Sequence, residues 1–172
     1  TNDPYIGALH QPDVTCIAPV HWQGELIAWC GATVHQVDMG GPTPGSFVIG
    51  AKSIFEEGTP MPPVKVVERG ILRKDIEREY LRRSRIPDLV ALDLRAQIAA
   101  NNTVKSRMHK LIQQYGLATV TAVMDEMVNY VEKRFRARLK ELPDGAWRHR
   151  IFLDHDGVEN KIYPCQLAMT KK

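Results

Sequence analysis

The apolar positions of this 172-residue chain change their spacing along its length, and this change predicts the order of its elements. Residues 13–20 and 25–35 are rich in β-branched and aromatic residues, and a short connection containing Gly24 joins them. This combination predicts a β-hairpin. Residues 39–47 are so dense in Gly and Pro that regular structure is excluded there. We therefore expect a hairpin followed by an irregular loop.

From residue 72 the apolar positions recur at intervals of three and four, which is the period of a helix. A first helix is expected over 72–84, with a thin apolar stripe. A second is expected from Pro87 to about residue 101, and a third from an N-cap at Thr103 to the glycine at 116. With a fourth helix after that glycine, the central region holds about four helices. The stripe of the first helix consists of Leu72, Ile76, Tyr80 and Leu81.

The fourth helix, over about 117–141, carries the longest apolar stripe of the chain. A continuous face of Leu, Val and Met is more typical of a buried core than of an interface, so we expect it to be core. Pro143-Asp144-Gly145 then ends the helix. The residues of the stripe are Val120, Val123, Met124, Met127, Val128, Val131, Phe135, Leu139 and Leu142.

Two further strands, 147–153 and 161–169, are expected on either side of a turn at Asp156-Gly157. Strands first, helices second and strands last indicate an α+β fold rather than a wound parallel sheet. We divide the chain into a β-rich region (1–71), a helical region (72–142) and a C-terminal β segment (143–172). Both ends read as the middle of a longer protein, so these regions are expected to be parts of one domain of a longer subunit.

The composition is that of an ordinary globular protein, with 44% hydrophobic and 25% charged residues. It excludes disordered and collagen-like classes, and no apolar run approaches the roughly 18 to 20 residues of a membrane span. The net charge of +3 is unevenly distributed. Residues 1–64 contain one basic and six acidic residues, a net of −5, so the remainder carries +8.

The basic remainder raises the question of nucleic-acid binding. Basic residues are dense over 69–85 and 133–140, but acidic residues are interleaved with them at helical spacing. Such spacing favours ion pairs on a solvated helix face, and no motif for reading bases is present. We therefore expect no nucleic-acid partner, and a helical platform for assembly stays open as a non-enzymatic alternative.

Three cysteines, Cys16, Cys30 and Cys165, show no metal-type CxxC spacing. A turn centred on residue 23 would set Cys16 opposite Cys30 in the hairpin, so a disulfide between them is one alternative. Buried free thiols in the reducing cytoplasm are the preferred interpretation.

Histidines and carboxylates gather at the open end of the predicted hairpin. With a turn centred on residues 22–24, paired residues have numbers that sum to about 45 or 46, which sets His10 opposite His35. A turn through residues 11 and 12 would return Asp13 beside His10, and Asp38 follows His35 by three residues. Two imidazoles and a carboxylate form a ligand set for a catalytic divalent metal. Loop histidines with satisfied hydrogen bonds are the alternative, and spacing alone does not decide between them.

A series of segments in this chain resembles the hydantoinase B/oxoprolinase family over nearly its whole length. In order, they are TNDPY, HQPD, VHQVDMGG, TPGS, IFEEG, PPVKVVERG, ALDLRAQIAANN, YG and LPDG. The family includes the metal-bearing subunits of acetone and acetophenone carboxylases, the B-type components of N-methylhydantoinase and the corresponding part of 5-oxoprolinase. Its members are several times longer than this chain.

The resemblance to the carboxylase branch implies a divalent ion, Mn in most cases with Zn or Fe as alternatives, at the positions of His10, Asp13 and His35. Asp38 matches the next acidic position and is expected to orient a histidine, with direct ligation as an alternative. Asn2 and Asp3 match the family's opening motif, where they either line the pocket or stabilise a turn. Gln36 replaces the second histidine of many hydantoinases, which favours the ketone carboxylases and puts Gln36 beside the pocket.

The resemblance also implies a mechanism and partners. ATP is expected on a separate hydantoinase A-type subunit, and the substrates are expected to be a ketone and bicarbonate, with CO₂ joined to a substrate enolate at the metal-bearing subunit. A cyclic amide opened by water is the alternative. The Gly-rich run 40–45 lacks the P-loop pattern, so we expect a turn near the metal there rather than a phosphate cradle.

Overall fold

The computed structural model describes residues 1–156 and 159–172. In these ranges it has three antiparallel strand pairs and three α-helices, with single-turn 3-10 helices at Pro4–Ile6 and Ile54–Glu56. The expected α+β class, with strands at both ends and helices between, is confirmed. The chain divides into two compact units, Thr1–His109 and Lys110–Lys172.

The first unit is built on an antiparallel hairpin of β1 (Asp13–Trp22) and β2 (Glu25–His35). The turn consists of Gln23 and Gly24, which both have positive φ (50° and 91°), as the tightest hairpin turns require. The predicted hairpin is therefore confirmed.

The expected register of this hairpin is wrong. Asp13, not His10, is the partner of His35, so paired numbers along most of the hairpin sum to 48 rather than 45 or 46. The two-residue turn accounts for part of the shift, and an irregularity between Val20 and His21 adds one more residue. A bulge of this kind has no signal in the hydrophobic pattern.

The corrected register also separates the cysteines. Cys16 pairs with Ala32, and Cys30 pairs with Ala18, so the two thiols do not face each other across the hairpin. All three cysteines are free, as expected, but only Cys16 and Cys30 are even partly buried, while Cys165 is exposed. Burial raises the pKa of the Cys16 thiol.

Two very short strands, β3 (Val67–Glu68) and β4 (Ile71–Leu72), form a second hairpin. Its turn at Arg69 and Gly70 has positive φ at both residues (51° and 79°). Because Leu72 belongs to β4, helix α1 spans only Lys74–Leu81.

Helix α2 (Pro87–Tyr115) is a single helix of 29 residues, so the prediction of two helices separated near Thr103 is wrong. The polar residues at the expected break have partners that leave the helix intact. The Asn101 amide donates to Cys16 O (2.9 Å) on β1, and the Thr103 hydroxyl donates to Ala99 O (2.9 Å) one turn earlier. The chain therefore has three α-helices in its described ranges, rather than about four.

Gly116 ends α2 with a φ of 83°, as expected of a residue just beyond a helix C-terminus. Helix α3 (Leu117–Lys140) follows directly.

The core of the first unit draws on the hairpin, the loops and both early helices. Burial of an apolar side chain of this size contributes about 1.5–3 kcal/mol to folding. Tyr80, Ile76 and Leu81 of the predicted α1 stripe belong to this cluster or pack against it. Its buried members are Val14, Met39, Met61, Tyr80, Val90 and Leu94.

A row of polar side chains on α2 attaches the hairpin to the helix. Gln97 Nε2 donates to the carbonyls of Val14 and Ala32, both at 2.8 Å, and thereby spans the two strands. Asn101 and His109 reach the hairpin carbonyls of Cys16 and His21, respectively. Residues 97, 101 and 109 lie on one helix face because they are separated by four and eight positions.

The second unit contains α3 and an antiparallel hairpin of β5 (Gly145–His155) and β6 (Asn160–Lys171). The predicted strands 147–153 and 161–169 are confirmed and are longer than expected. Of the predicted turn at Asp156-Gly157, Gly157 lies outside the described residues.

The apolar stripe of α3 is not a core. Val120 is buried, whereas the other eight stripe residues are between 37% and 72% exposed. The prediction of burial is therefore wrong, because a periodic pattern shows which face of a helix is apolar and not whether that face is covered. Among the described helices, none combines the length and hydropathy that crossing a membrane would require.

A buried carboxylate joins α1 to α2. Glu77 is 4% exposed, and its oxygens accept hydrogen bonds from Lys74 Nζ (2.8 Å) and Arg95 Nη2 (3.2 Å). The hydrogen bond from Lys74, with a further one from Arg95, lowers the pKa of Glu77 despite the opposing effect of burial.

We expect Glu77→Gln to destabilise the chain by about 1–3 kcal/mol at pH 7, because it weakens both charged hydrogen bonds. The pKa of Glu77 is lower in the folded state than in the unfolded chain. The stabilisation that Glu77 provides is therefore complete above its unfolded-state pKa of about 4.3, and it is lost as the pH falls through the folded-state pKa. Urea denaturation at pH 7 and pH 3 measures the change. Glu79→Gln, which removes an exposed partner of Arg83, is the control and should have little effect. An equal difference between wild type and Glu77→Gln at both pH values would contradict this account.

Candidate metal centre

The open end of the β1–β2 hairpin brings two of the predicted ligands together. Asp13 is the first residue of β1 and His35 the last residue of β2, and they are direct partners in the register. Asp13 Oδ1 lies 2.9 Å from His35 Nδ1. The strand ladder therefore fixes this pair.

His10 reaches the same point through a tight turn rather than through strand pairing. The Asp13 N–H donates to His10 O (2.9 Å), which closes a turn over Gln11 and Pro12. This turn was the route expected for bringing Asp13 beside His10. The two imidazole rings meet edge to face, with centroids 5.0 Å apart and an interplanar angle of 83°.

The three side chains offer a compact set of donors. One ligand atom each from His10, Asp13 and His35 lies within 4.8 Å of the others. Ligand atoms about 2.0–2.2 Å from one ion are at most about 4.4 Å apart, so small side-chain rotations would bring the set to bonding distance. Asp13 is 18% exposed, and the histidine side chains are 41% and 57% exposed, so one side of the set faces solvent.

One nitrogen of this set has no hydrogen-bond partner among the described residues. His10 Nδ1 is buried, and its nearest charged neighbour, Asp13 Oδ2 at 3.5 Å, does not meet the geometry of a hydrogen bond. Buried polar atoms are nearly always satisfied, so an orphaned imidazole nitrogen beside a carboxylate is consistent with a site for a cation.

Asp38 lies elsewhere. Its carboxylate, 3% exposed, accepts hydrogen bonds from the N–H groups of Gly40 (3.0 Å), Gly45 (2.9 Å) and Arg85 (3.1 Å) and from Arg85 Nη1 (2.8 Å). Burial raises the pKa of Asp38, but these hydrogen bonds together outweigh burial and lower it. The hydrogen bonds of Asp38 thus go to its own loop and to Arg85, and not to the histidine that we expected it to orient.

Backbone N–H groups of the Gly-rich loop donate to acceptors within the same loop. Besides the bonds from Gly40 and Gly45 to Asp38, the Met39 N–H donates to Ser46 Oγ (2.6 Å), which itself donates to Gly40 O (2.8 Å). The Gly40 and Gly45 N–H groups therefore donate to the chain's own carboxylate and not to a phosphate. The expectation of a turn, rather than a phosphate cradle, agrees with this arrangement.

Asn2 is fully buried, and its amide is satisfied. Its Nδ2 donates to the carbonyls of Gln11 (2.8 Å) and Thr59 (3.1 Å), and its Oδ1 accepts from the Met61 N–H (2.6 Å). It thus attaches the start of the chain to the turn that carries His10. Asp3 has a local role, since its Oδ1 accepts from the Tyr5 N–H (2.9 Å) and caps the first 3-10 helix.

Gln36 directly follows His35, and its N–H donates to Pro12 O (2.7 Å) in the His10–Asp13 turn. Gln11 and Gln36 are both almost fully buried, and their amide groups form no hydrogen bond with the described residues. Gln11 and Arg85 were not singled out from the sequence. Nothing in a single sequence signals the contact of Arg85 with Asp38, 47 residues away.

A sequence model of one family, hydantoinase B/oxoprolinase, matches residues 1–172 of this chain. The chain belongs to the hydantoinase B/oxoprolinase family. It is 40% identical over 157 residues to a Pseudomonas sp. (strain NS671) protein that is provisionally named as the B component of a D-/L-hydantoinase, and this alignment covers 89% of the chain. It is 31% identical over 173 residues to the acetophenone carboxylase delta subunit of Aromatoleum aromaticum, covering 99% of the chain. These alignments span 26% and 25% of the two relatives, so the chain corresponds to about a quarter of their length.

Solved structures of this family have the same fold. A nucleotide-free acetone carboxylase structure superposes with a TM-score of 0.87 at 27% identity, over 99% of this chain and 24% of the other. The ATP-dependent caprolactamase from Pseudomonas jessenii gives a TM-score of 0.81 at 30% identity, over 97% and 29%. One fold therefore serves a carboxylase and a caprolactamase among the relatives.

Proposed function

We propose that this chain is the part of an ATP-dependent enzyme subunit that holds a divalent metal ion through His10, Asp13 and His35. The observation that carries the proposal is the convergence of three donor atoms within 4.8 Å at the hairpin end. The orphaned His10 Nδ1 and the carboxylate between two imidazoles support it further.

The donor set guides the choice of ion. Two nitrogens and one carboxylate oxygen suit Mn, Zn or Fe and leave coordination positions for water or substrate. Among these ions, the resemblance to the carboxylase branch favours Mn. A bound ion of this kind supplies a Lewis acid that polarises a carbonyl or stabilises an enolate oxygen. The chain's own residues orient the donors: the strand ladder holds Asp13 against His35, and the turn over Gln11 and Pro12 presents His10.

For the reaction, we propose ATP-dependent carboxylation of a ketone, as in acetone and acetophenone carboxylases. Two carboxylase subunits match 99% and 89% of the chain, at 31% and 30% identity. Gln36, in the place of a second histidine, favours the same branch. ATP would bind a hydantoinase A-type partner subunit, and the substrates would be a ketone and bicarbonate.

Hydrolysis of a cyclic amide is the second candidate. It is favoured by the 40% identity to the hydantoinase-type relative and by the structural match to caprolactamase. Both candidates require partner subunits. We propose the cytoplasm as the location, because the three cysteines are free thiols, as in reducing compartments.

We expect the purified chain to bind about one divalent ion, and we expect His35→Ala to lose most of it, because two donors hold an ion poorly. Elemental analysis after equilibration with Mn²⁺ or Zn²⁺ measures this. His149→Ala, which removes an exposed histidine of β5, is the matched control and should retain the metal. Equal metal content in all three proteins would exclude the site.

A second experiment separates the two reactions. We expect the full-length subunit, combined with its ATP-binding partner, to incorporate labelled bicarbonate into acetone or acetophenone in an ATP-dependent reaction. His35→Ala should abolish incorporation, and His149→Ala should not. ATP-dependent opening of hydantoin or caprolactam, without bicarbonate incorporation, would overturn the carboxylase assignment in favour of the hydrolase. We expect no ATP hydrolysis by the 172-residue chain alone.

A further inference from the structure

The backbone that leaves His35 is attached to the connection between α1 and α2. Three residues after His35, Asp38 accepts two hydrogen bonds from Arg85, one from the backbone N–H (3.1 Å) and one from Nη1 (2.8 Å). A second guanidinium nitrogen of Arg85, Nη2, donates to Gly41 O. One arginine thus holds the loop at two points.

In this ion pair the carboxylate is buried, whereas the guanidinium is partly exposed to solvent. The Asp38 side chain is 3% exposed, whereas that of Arg85 is 43% exposed. A buried carboxylate requires its partners far more than an exposed guanidinium does, so the loss of Arg85 would leave an uncompensated charge in the loop. The loop would then have to rearrange to hydrate Asp38.

The loop has little room to rearrange locally. A Cβ atom added to Gly40 would lie 2.7 Å from Arg83 O, and one added to Gly41 would lie 2.8 Å from Glu57 O. The backbone therefore packs directly against two other segments. A displacement of Asp38 is expected to propagate along the chain toward His35 rather than to be absorbed in the loop.

His35 depends on this backbone for its position. Its ring contacts only His10 and Asp13 among the interactions described, and its side chain is 57% exposed. On one side the β2 ladder holds it, and on the other the chain passes to Asp38 through buried Gln36, whose N–H donates to Pro12 O. If the following backbone moved, only the contacts with Asp13 and His10 among those described would resist a displacement of the ring.

We propose that Arg85 is a positioning residue of the metal centre, which fixes the backbone of His35 through Asp38. The proposal rests on the proposed metal function of His10, Asp13 and His35. Arg85 touches none of these three side chains in the hydrogen bonds described, so its effect on the metal would be indirect.

The test is a Co²⁺ titration of the 172-residue chain, followed by visible absorption, which reports both affinity and ligand geometry. We expect Arg85→Gln to weaken Co²⁺ binding by about 10- to 100-fold and to alter the spectrum, as loss of a supporting partner does in other metal sites. Arg85→Lys, which keeps the charge but cannot reach Asp38 and Gly41 together, should give an intermediate affinity.

Arg95→Gln is the matched control, since Arg95 pairs with the buried Glu77 and does not contact the loop. It should lower the unfolding midpoint but leave Co²⁺ affinity and the spectrum unchanged, which separates positioning from general destabilisation. If Arg85→Gln fails to fold, Arg85→Lys decides by the same comparison.

Wild-type affinity and an unaltered spectrum in the folded Arg85 variants would overturn the positioning role and leave the metal site intact. Failure of the wild-type chain to bind Co²⁺ would overturn the metal function and the role of Arg85 with it. Amide hydrogen exchange of residues 36–39, without metal, should be faster in Arg85→Gln than in Arg95→Gln.

Discussion

The Gln97 side chain holds the two strands of the hairpin in a fixed position on helix α2, and the candidate site depends on this contact. A single amide group, on a residue that is only 1% exposed, donates to one carbonyl on each strand. A register slip of one residue would turn each strand's side chains to the other face and remove these acceptors. The register in turn sets Asp13 opposite His35, so two of the three proposed metal ligands are positioned by a helix that contributes none of them.

The acidic character of residues 1–64 has a local explanation. Two of the six carboxylates in this stretch lie against basic or imidazole side chains: Asp38 against Arg85, and Asp13 against two histidines. The basic remainder is partly self-paired, as the interleaved charges predicted. Lys74–Glu77, Arg83–Glu79 and Arg136–Glu132 all form ion pairs at helical spacing.

Periodicity and turn chemistry were sufficient to predict much of the fold. The hairpin, the α1 stripe, the helix end at Gly116 and the C-terminal strands all follow from spacing and from Gly and Pro positions. The prediction failed where long-range contacts override local preference. Asn101 looks like a helix break in isolation, yet its amide has an acceptor on β1, which keeps α2 continuous.

The candidate site, like the fold, could be predicted only in part from the sequence. The grouping of His10, Asp13 and His35 was predicted, although the register was not. Asp13 takes the place expected for His10 opposite His35, and the turn over Gln11 and Pro12 brings His10 back beside them. The link between Asp38 and Arg85 could not be predicted from one sequence, since neither residue belongs to a pattern that points to the other. The apolar stripe of α3 was recognised, but a stripe carries no information on what covers it.

The central claim is that one ion is bound by two imidazoles and one carboxylate at the end of a hairpin. X-ray absorption spectroscopy of the metal-loaded chain tests it most directly, because imidazole rings produce a distinctive multiple-scattering pattern. We expect two imidazole ligands in the wild-type chain and one in His10→Ala. An ion surrounded by oxygen alone, or the same imidazole count in both proteins, would contradict it.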